Sequence, residues 1–100
     1  MKIHNKLVRD KIPEIIEETG KTCSTHILTN EEYIKALDAK LNEEVAEYQV
    51  DKNLEEMADI LEVLQAIYIA RGYSVDELEE LRTKKRKNEA DFKTKYFLNM

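Results

Sequence analysis

The sequence is poor in chain-breaking residues and in cysteine. It contains two Gly and one Pro in 100 residues, which disfavours a turn-rich β-sandwich and favours long helices. Cys23 is the single cysteine, so no disulfide can form within the chain. With only His4 and His26 beside it, a zinc site built from Cys and His is unsupported.

The sequence also lacks a long uninterrupted apolar run. Its longest apolar stretch, residues 54–70, carries four carboxylates, which would be very costly inside a lipid bilayer. Residues 1–13 are basic but contain no apolar segment of the kind found in signal peptides. We therefore expect a cytoplasmic protein with no membrane partner.

Charged residues make up 37% of the chain and are unevenly distributed. Residues 31–62 hold eleven acidic and three basic residues, whereas residues 82–95 hold seven basic and two acidic ones. The net charge of −5 argues against polymeric nucleic acid as a partner. The asymmetry is compatible with an anionic ligand bound through a metal on one side and through Lys and Arg on the other, and solvated helix faces are the alternative.

Length and periodicity predict one all-α domain, residues 1–100, built as a small helical bundle. The predicted helices span about 10–19, about 29–50, about 54–71 and about 75–88. Thr29 and Glu32 are typical of a capping box, and Ser74 with Glu77 indicates the N-cap of the last helix. The third is apolar around most of its circumference, so we expect it to be central and buried. Residues 1–8 are expected to be extended, residues 21–28 irregular or strand-like, and the tail 92–100 packed back on the bundle. A domain this small would naturally be supplemented by oligomerisation.

Two acidic pairs, Glu44/Glu47 and Glu56/Asp59, each have a spacing that places both side chains on one helix face. An antiparallel turn near residues 51–53 would set Glu47 opposite Glu56 and Glu44 opposite Asp59. Each ionised pair would repel by roughly 3 kcal/mol at about 5 Å and an effective dielectric of about 20. We expect no basic residue of the two helices to offset this repulsion, because Lys52 lies in the turn and Lys40 lies one helical turn away. That leaves protonation, rotation into solvent or a divalent cation. Oxygen ligands favour Mg²⁺, with Mn²⁺ as a substitute, over zinc.

The residues Glu43-Glu44-Val45-Ala46-Glu47 and Glu56-Met57-Ala58-Asp59 resemble the EExxE…ExxD signature of the all-α NTP pyrophosphohydrolases. This superfamily includes the MazG-like and phosphoribosyl-ATP pyrophosphohydrolase-like proteins. The opening Asn5–Pro13 and the segments 58–63 and 84–87 resemble a subgroup of small single-domain members. The resemblance therefore covers nearly the whole chain.

The resemblance implies a helical homodimer or higher homo-oligomer that hydrolyses a nucleoside triphosphate to the monophosphate and pyrophosphate, often to remove aberrant nucleotides. It implies that Mg²⁺ is held by Glu44, Glu47, Glu56 and Asp59. Beside that set, Glu43 is our candidate for orienting or deprotonating the attacking water. The candidates for binding the phosphates are Arg9, Lys11, Lys84, Lys85 and Arg86.

The sequence departs from the family pattern at two places. The gap between Glu47 and Glu56 is shorter than in many members, and Ala90-Asp91 stands where the subgroup has Gly-Gly. Two alternatives remain open at this point. One is phosphoribosyl-ATP pyrophosphohydrolase, and the other is a helical interaction module that kept the fold and lost catalysis.

Overall fold

The computed structural model describes residues 6–100, which form four α-helices and no β-strand. These are α1 (Ile12–Glu18), α2 (Asn30–Asp51), α3 (Leu54–Ala70) and α4 (Val75–Glu89). The all-α prediction is confirmed, and residues 21–28 form an irregular connection. Of the predicted extended segment 1–8, residues 1–5 lie outside the described part, and residues 6–8 have no regular structure. No helix in residues 6–100 is long and apolar enough to cross a membrane.

Side-chain caps fix where three of the helices begin. The Thr29 hydroxyl accepts a hydrogen bond from the Glu32 N–H, and the Glu32 carboxylate accepts one from the Thr29 N–H. Ser74 and Glu77 form the same reciprocal capping box before α4. The predicted capping box at Thr29 and the predicted N-cap at Ser74 are thus confirmed. At α3 the Asn53 side chain accepts from the Glu56 N–H at 2.9 Å.

The pair α2 and α3 forms an antiparallel hairpin, which is the main packing unit among the described residues. Lys52 ends α2 in the left-handed conformation, with φ of 53°, and Asn53 starts α3 directly after it. Leu37 of α2 and Val63 of α3 are buried between the helices. At the open end, Arg71 pairs with Asp38 at 3.0 Å. The hairpin therefore fixes which residues of α2 and α3 face each other.

Much of the apolar surface remains uncovered in the single chain. The prediction that α3 is buried on most sides is wrong here, because Leu61 is 67% exposed and Ile69 58%. All of α4 is exposed, and the tail does not pack back, since Phe92 is 98% exposed. The radius of gyration is 17.6 Å, against about 13 Å for a compact chain of this length. The α2–α3 hairpin contacts no further helix extensively enough to cover these faces.

Ala90 ends α4 in a backbone conformation that favours glycine, with φ of 63° and ψ of −159°. A residue with a Cβ in this region costs about 1–3 kcal/mol. The subgroup that the sequence resembles has Gly-Gly at the positions of residues 90–91. We therefore expect Ala90→Gly to raise the free energy of unfolding by about 1 kcal/mol, because relief of strain exceeds the added flexibility of the unfolded chain.

Urea denaturation would measure the effect of Ala90→Gly. The matched control is Ala39→Gly, an exposed position inside α2, where glycine should destabilise by about 1 kcal/mol. If both substitutions lowered stability equally, the strain assigned to Ala90 would be wrong.

Candidate metal centre

Five carboxylates form an acidic cluster in the half of the hairpin nearer the turn: Glu43, Glu44 and Glu47 of α2 and Glu56 and Asp59 of α3. One oxygen each from Glu44, Glu56 and Asp59 lies within 4.8 Å of the other two, and the same holds for Glu43, Glu44 and Glu47. The predicted proximity of Glu44 and Asp59 is confirmed. The four predicted ligands do not meet in one group, because Glu47 groups with Glu43 and Glu44 rather than with Glu56 and Asp59. The charge of Glu47 nevertheless helps to raise the pKa of Glu56.

Glu44 is the buried member of the acidic cluster. It is only 6% exposed, and its Oε2 has no hydrogen-bond partner among residues 6–100. The Oε2 of Glu56 is likewise buried without a partner. Burial is the main cause that raises the pKa of both groups above the ordinary value of 4.5. Since an unpartnered buried carboxylate oxygen is unfavourable, both atoms are suited to receive a cation.

Three basic side chains contact the acidic cluster: Lys6, whose Nζ lies 3.6 Å from Glu43 Oε1, Lys40 and Arg9. The prediction that no basic residue of the two helices lies close enough to offset the acidic charge is wrong, because Lys40 does. Lys40 Nζ lies 3.2 Å from Glu44 Oε1 and 3.4 Å from Glu43 Oε1. Arg9 Nη2 donates to Asp59 Oδ1 at 2.7 Å. Lys40 was detectable from sequence, because residues three and four apart on a helix are neighbours. Arg9 was not, because its contact depends on the path of the N-terminal segment.

A cleft of about 660 Å³ opens beside the acidic cluster, between residues 6–12 and the hairpin. Glu44 and Asp59 form part of its wall, and Arg9, Lys11 and Lys40 also line it. Leu37 and Val63 contribute apolar lining. Its volume falls within the range of about 300–1,000 Å³ typical of small-molecule sites. The cleft thus presents carboxylates and cations to the same space.

The predicted phosphate-binding residues divide into two groups. Arg9 and Lys11 line the cleft, although Arg9 is paired with Asp59. Lys84, Lys85 and Arg86 are exposed on α4 and do not line it. Within one chain, the structure therefore brings the N-terminal cations to the acidic cluster but not those of α4.

Comparison with known proteins gives little functional information. No protein-family model matches the chain, and no solved structure matches it. An uncharacterized protein of Mycolicibacterium smegmatis is 57% identical over 42 residues, which are 42% of this chain and 43% of that protein. The chain thus matches less than half the length of this relative. Functional inference rests on the site itself.

Proposed function

We propose that this protein is a Mg²⁺-dependent nucleoside triphosphate pyrophosphohydrolase of the all-α superfamily that its motifs resemble. One observation carries the proposal. Glu44 is buried with an unpartnered oxygen, and it sits close to Glu56 and Asp59 at the wall of a cleft. A surface-rotated acidic cluster would instead leave its oxygens in water. The proposed setting is the cytoplasm, and removal of non-standard nucleotides is the proposed role.

The donor set fits a hard divalent cation. Every candidate ligand offers carboxylate oxygen, which suits Mg²⁺ or Mn²⁺ better than zinc. The residues that would hold the ion are Glu44, Glu47, Glu56 and Asp59. When bound, Mg²⁺ would neutralise charge on the phosphate oxygens and make a nearby water more acidic.

The chain's own groups support a division of roles in the cleft. Lys11, together with Arg9 once it leaves Asp59, would bind the phosphates electrostatically. Glu43 lies next to Glu44 and is paired with Lys6 at 3.6 Å and with Lys40. Its carboxylate would orient the attacking water and accept its proton as the water adds to the α-phosphorus. Pyrophosphate would then leave, and the monophosphate would remain.

Arg9 has two competing partners under this proposal, the Asp59 carboxylate and the substrate phosphates. Arg9→Ala should tighten Mn²⁺ binding by up to about fivefold, because a partly exposed ion pair contributes up to about 1 kcal/mol. The same change should raise KM for the nucleotide. Titration calorimetry and steady-state kinetics would measure the two effects. Arg71→Ala, which removes the comparable pair with Asp38 away from the cluster, should change neither, and weaker Mn²⁺ binding in Arg9→Ala would contradict this account.

Self-association is part of the proposal. The chain exposes 9414 Å² of surface, whereas a compact monomer of this mass would expose about 5,900 Å². The uncovered apolar side chains on α3 and α4 suit a homodimer or higher homo-oligomer. A role for Lys84, Lys85 and Arg86 in substrate binding then requires a cleft from a second copy.

Analytical ultracentrifugation tests the self-association. The expected mass is at least twice the 11.8 kDa of one chain. Leu61→Lys, on the exposed face of α3, should lower this mass. Asn42→Lys, at an exposed polar position of α2, makes the same change of charge and is the matched control. A monomer at micromolar concentration would contradict the oligomer.

The decisive experiment is pyrophosphate release, with and without Mg²⁺, from a panel of NTPs, dNTPs and phosphoribosyl-ATP. Release from a nucleoside triphosphate only with Mg²⁺ is the expected result. Hydrolysis of phosphoribosyl-ATP alone would favour the histidine-pathway enzyme. Turnover of none, together with no change of thermal stability on adding Mg²⁺, would favour a helical interaction module.

A further inference from the structure

Lys40 occupies an unusual place beside the acidic cluster. Its side chain is only 15% exposed, and its ammonium contacts one oxygen of Glu44 and one of Glu43. Burial by itself would lower the pKa of Lys40, but the hydrogen bond to Glu44 and the charges of Glu43 and Glu44 raise it above 10.5. Lys40 therefore stays charged while largely enclosed, and its position is tied to both carboxylates.

The contact with Lys40 uses only half of the Glu44 carboxylate. Oε1 is bound to the ammonium, whereas Oε2 is buried and has no hydrogen-bond partner in the described part of the chain. An ion pair within one helix restricts rotation of the Glu44 side chain, because turning the carboxylate away would break the contact. The fixed orientation leaves Oε2 as the atom available to a cation.

We propose that Lys40 is a positioning residue that holds Glu44 by one oxygen and presents the other to the divalent cation. This inference rests on the proposed function. Because the same ammonium binds Glu43, Lys40 also sets the position of the proposed proton acceptor relative to the metal ligand. Groups that orient metal ligands in this way commonly change metal affinity by about 10–100-fold when removed.

A positioning role and a simple counterion role predict opposite results. If Lys40 only neutralised charge, its removal would leave a more negative site and would tighten binding of a divalent cation. If Lys40 positions Glu44, its removal lets the carboxylate rotate and weakens binding. The sign of the change therefore decides between them.

The experiment is Mn²⁺ binding to the full chain without nucleotide, measured by electron paramagnetic resonance. Lys40→Met should raise Kd by about tenfold or more, and Lys40→Arg should regain most of the affinity. Lys35→Met removes the same charge from an exposed position of α2 and should leave Kd nearly unchanged. Circular dichroism would verify helix content, and Lys40→Gln replaces Lys40→Met if that variant does not fold.

A double-mutant cycle between Lys40 and Glu44 distinguishes the positioning role from a general loss of packing. In the Glu44→Gln background, Lys40→Met should weaken Mn²⁺ binding no further, because both changes act on one ligand. Binding in Lys40→Met that is unchanged or tighter would overturn the inference, as would a Lys40→Arg variant as weak as Lys40→Met. Those outcomes leave the proposed function standing, whereas absence of Mn²⁺ binding by the wild-type chain would remove both.

Discussion

Glu44→Gln should lower the rate of Mg²⁺-dependent pyrophosphate release by at least about a hundredfold. Removal of a group that only orients a metal ligand typically lowers metal affinity or activity by about 10–100-fold, so removal of a ligand itself should have a larger effect. Glutamine keeps the shape of the side chain but removes the charge that binds the ion. Because Glu44 is the most buried member of the acidic cluster, no solvent-exposed carboxylate can rotate easily into its place. Steady-state release of pyrophosphate from the preferred nucleotide is the measurement.

The control for Glu44→Gln is Glu80→Gln, the same change on the exposed surface of α4. It should retain full activity, and both variants should keep the wild-type helix content by circular dichroism. Turnover in Glu44→Gln within a few-fold of wild type would refute the assignment of Glu44 as a ligand.

Glu56→Gln should raise the thermal midpoint of the metal-free protein and abolish its stabilisation by Mg²⁺. Burial raises the pKa of Glu56, and the charges of Glu47, Asp51 and Asp59 raise it further. The ionised side chain is therefore unfavourable in the folded state until a cation is bound. In the wild type, Mg²⁺ at 100 times its Kd should add about 2.7 kcal/mol of stability, which corresponds to about 10 °C or more for a chain of this size. Thermal unfolding with and without Mg²⁺ would measure both effects.

The pH dependence of the Glu56→Gln effect follows from the sign of the shift. The pKa of Glu56 is raised in the folded protein above its ordinary value of 4.5. Below pH 4.5 the side chain is protonated in both the folded and the unfolded state, so it costs no stability. Above the raised pKa it is ionised in both states, and the full cost to folding stability applies. The higher thermal midpoint of metal-free Glu56→Gln should therefore be seen at pH 7 and should disappear below pH 4.5.

Glu55→Gln is the matched control for Glu56→Gln, because it removes a charge from the same first turn of α3 at an exposed position. It should lower the midpoint slightly, through loss of a favourable interaction with the helix dipole. A Glu56→Gln variant that is also less stable and still responds to Mg²⁺ would show that the cluster is ordinary surface.

The helices were largely predictable because their signals are local. Thr29 and Ser74 mark the starts of α2 and α4, because each forms a capping box with a residue three positions later in the sequence. What could not be predicted is how much of α3 and α4 stays uncovered. Burial of Leu61 or Leu81 depends on a packing partner, and hydrophobic periodicity does not say whether that partner is in the same chain.

The part of the candidate site that depends only on the α2–α3 hairpin was predictable from the sequence. Residues equally distant from the turn meet, and this places Glu44 near Asp59. Arg9 lies fifty positions from Asp59 in the chain, so no local pattern indicates their ion pair. The contact of Lys40 is local, and it was excluded because Lys40 lies one helical turn from Glu44; residues three and four apart on a helix are in fact neighbours.

The tight turn at Lys52-Asn53 also bears on how the site is acquired during folding. All four proposed ligands lie within residues 44–59, so their convergence needs closure of one short loop rather than assembly of distant parts. Contacts this close in sequence form early and fast. The ion-binding residues would thus come together as soon as this hairpin closes, without any need for α4 or the tail to pack.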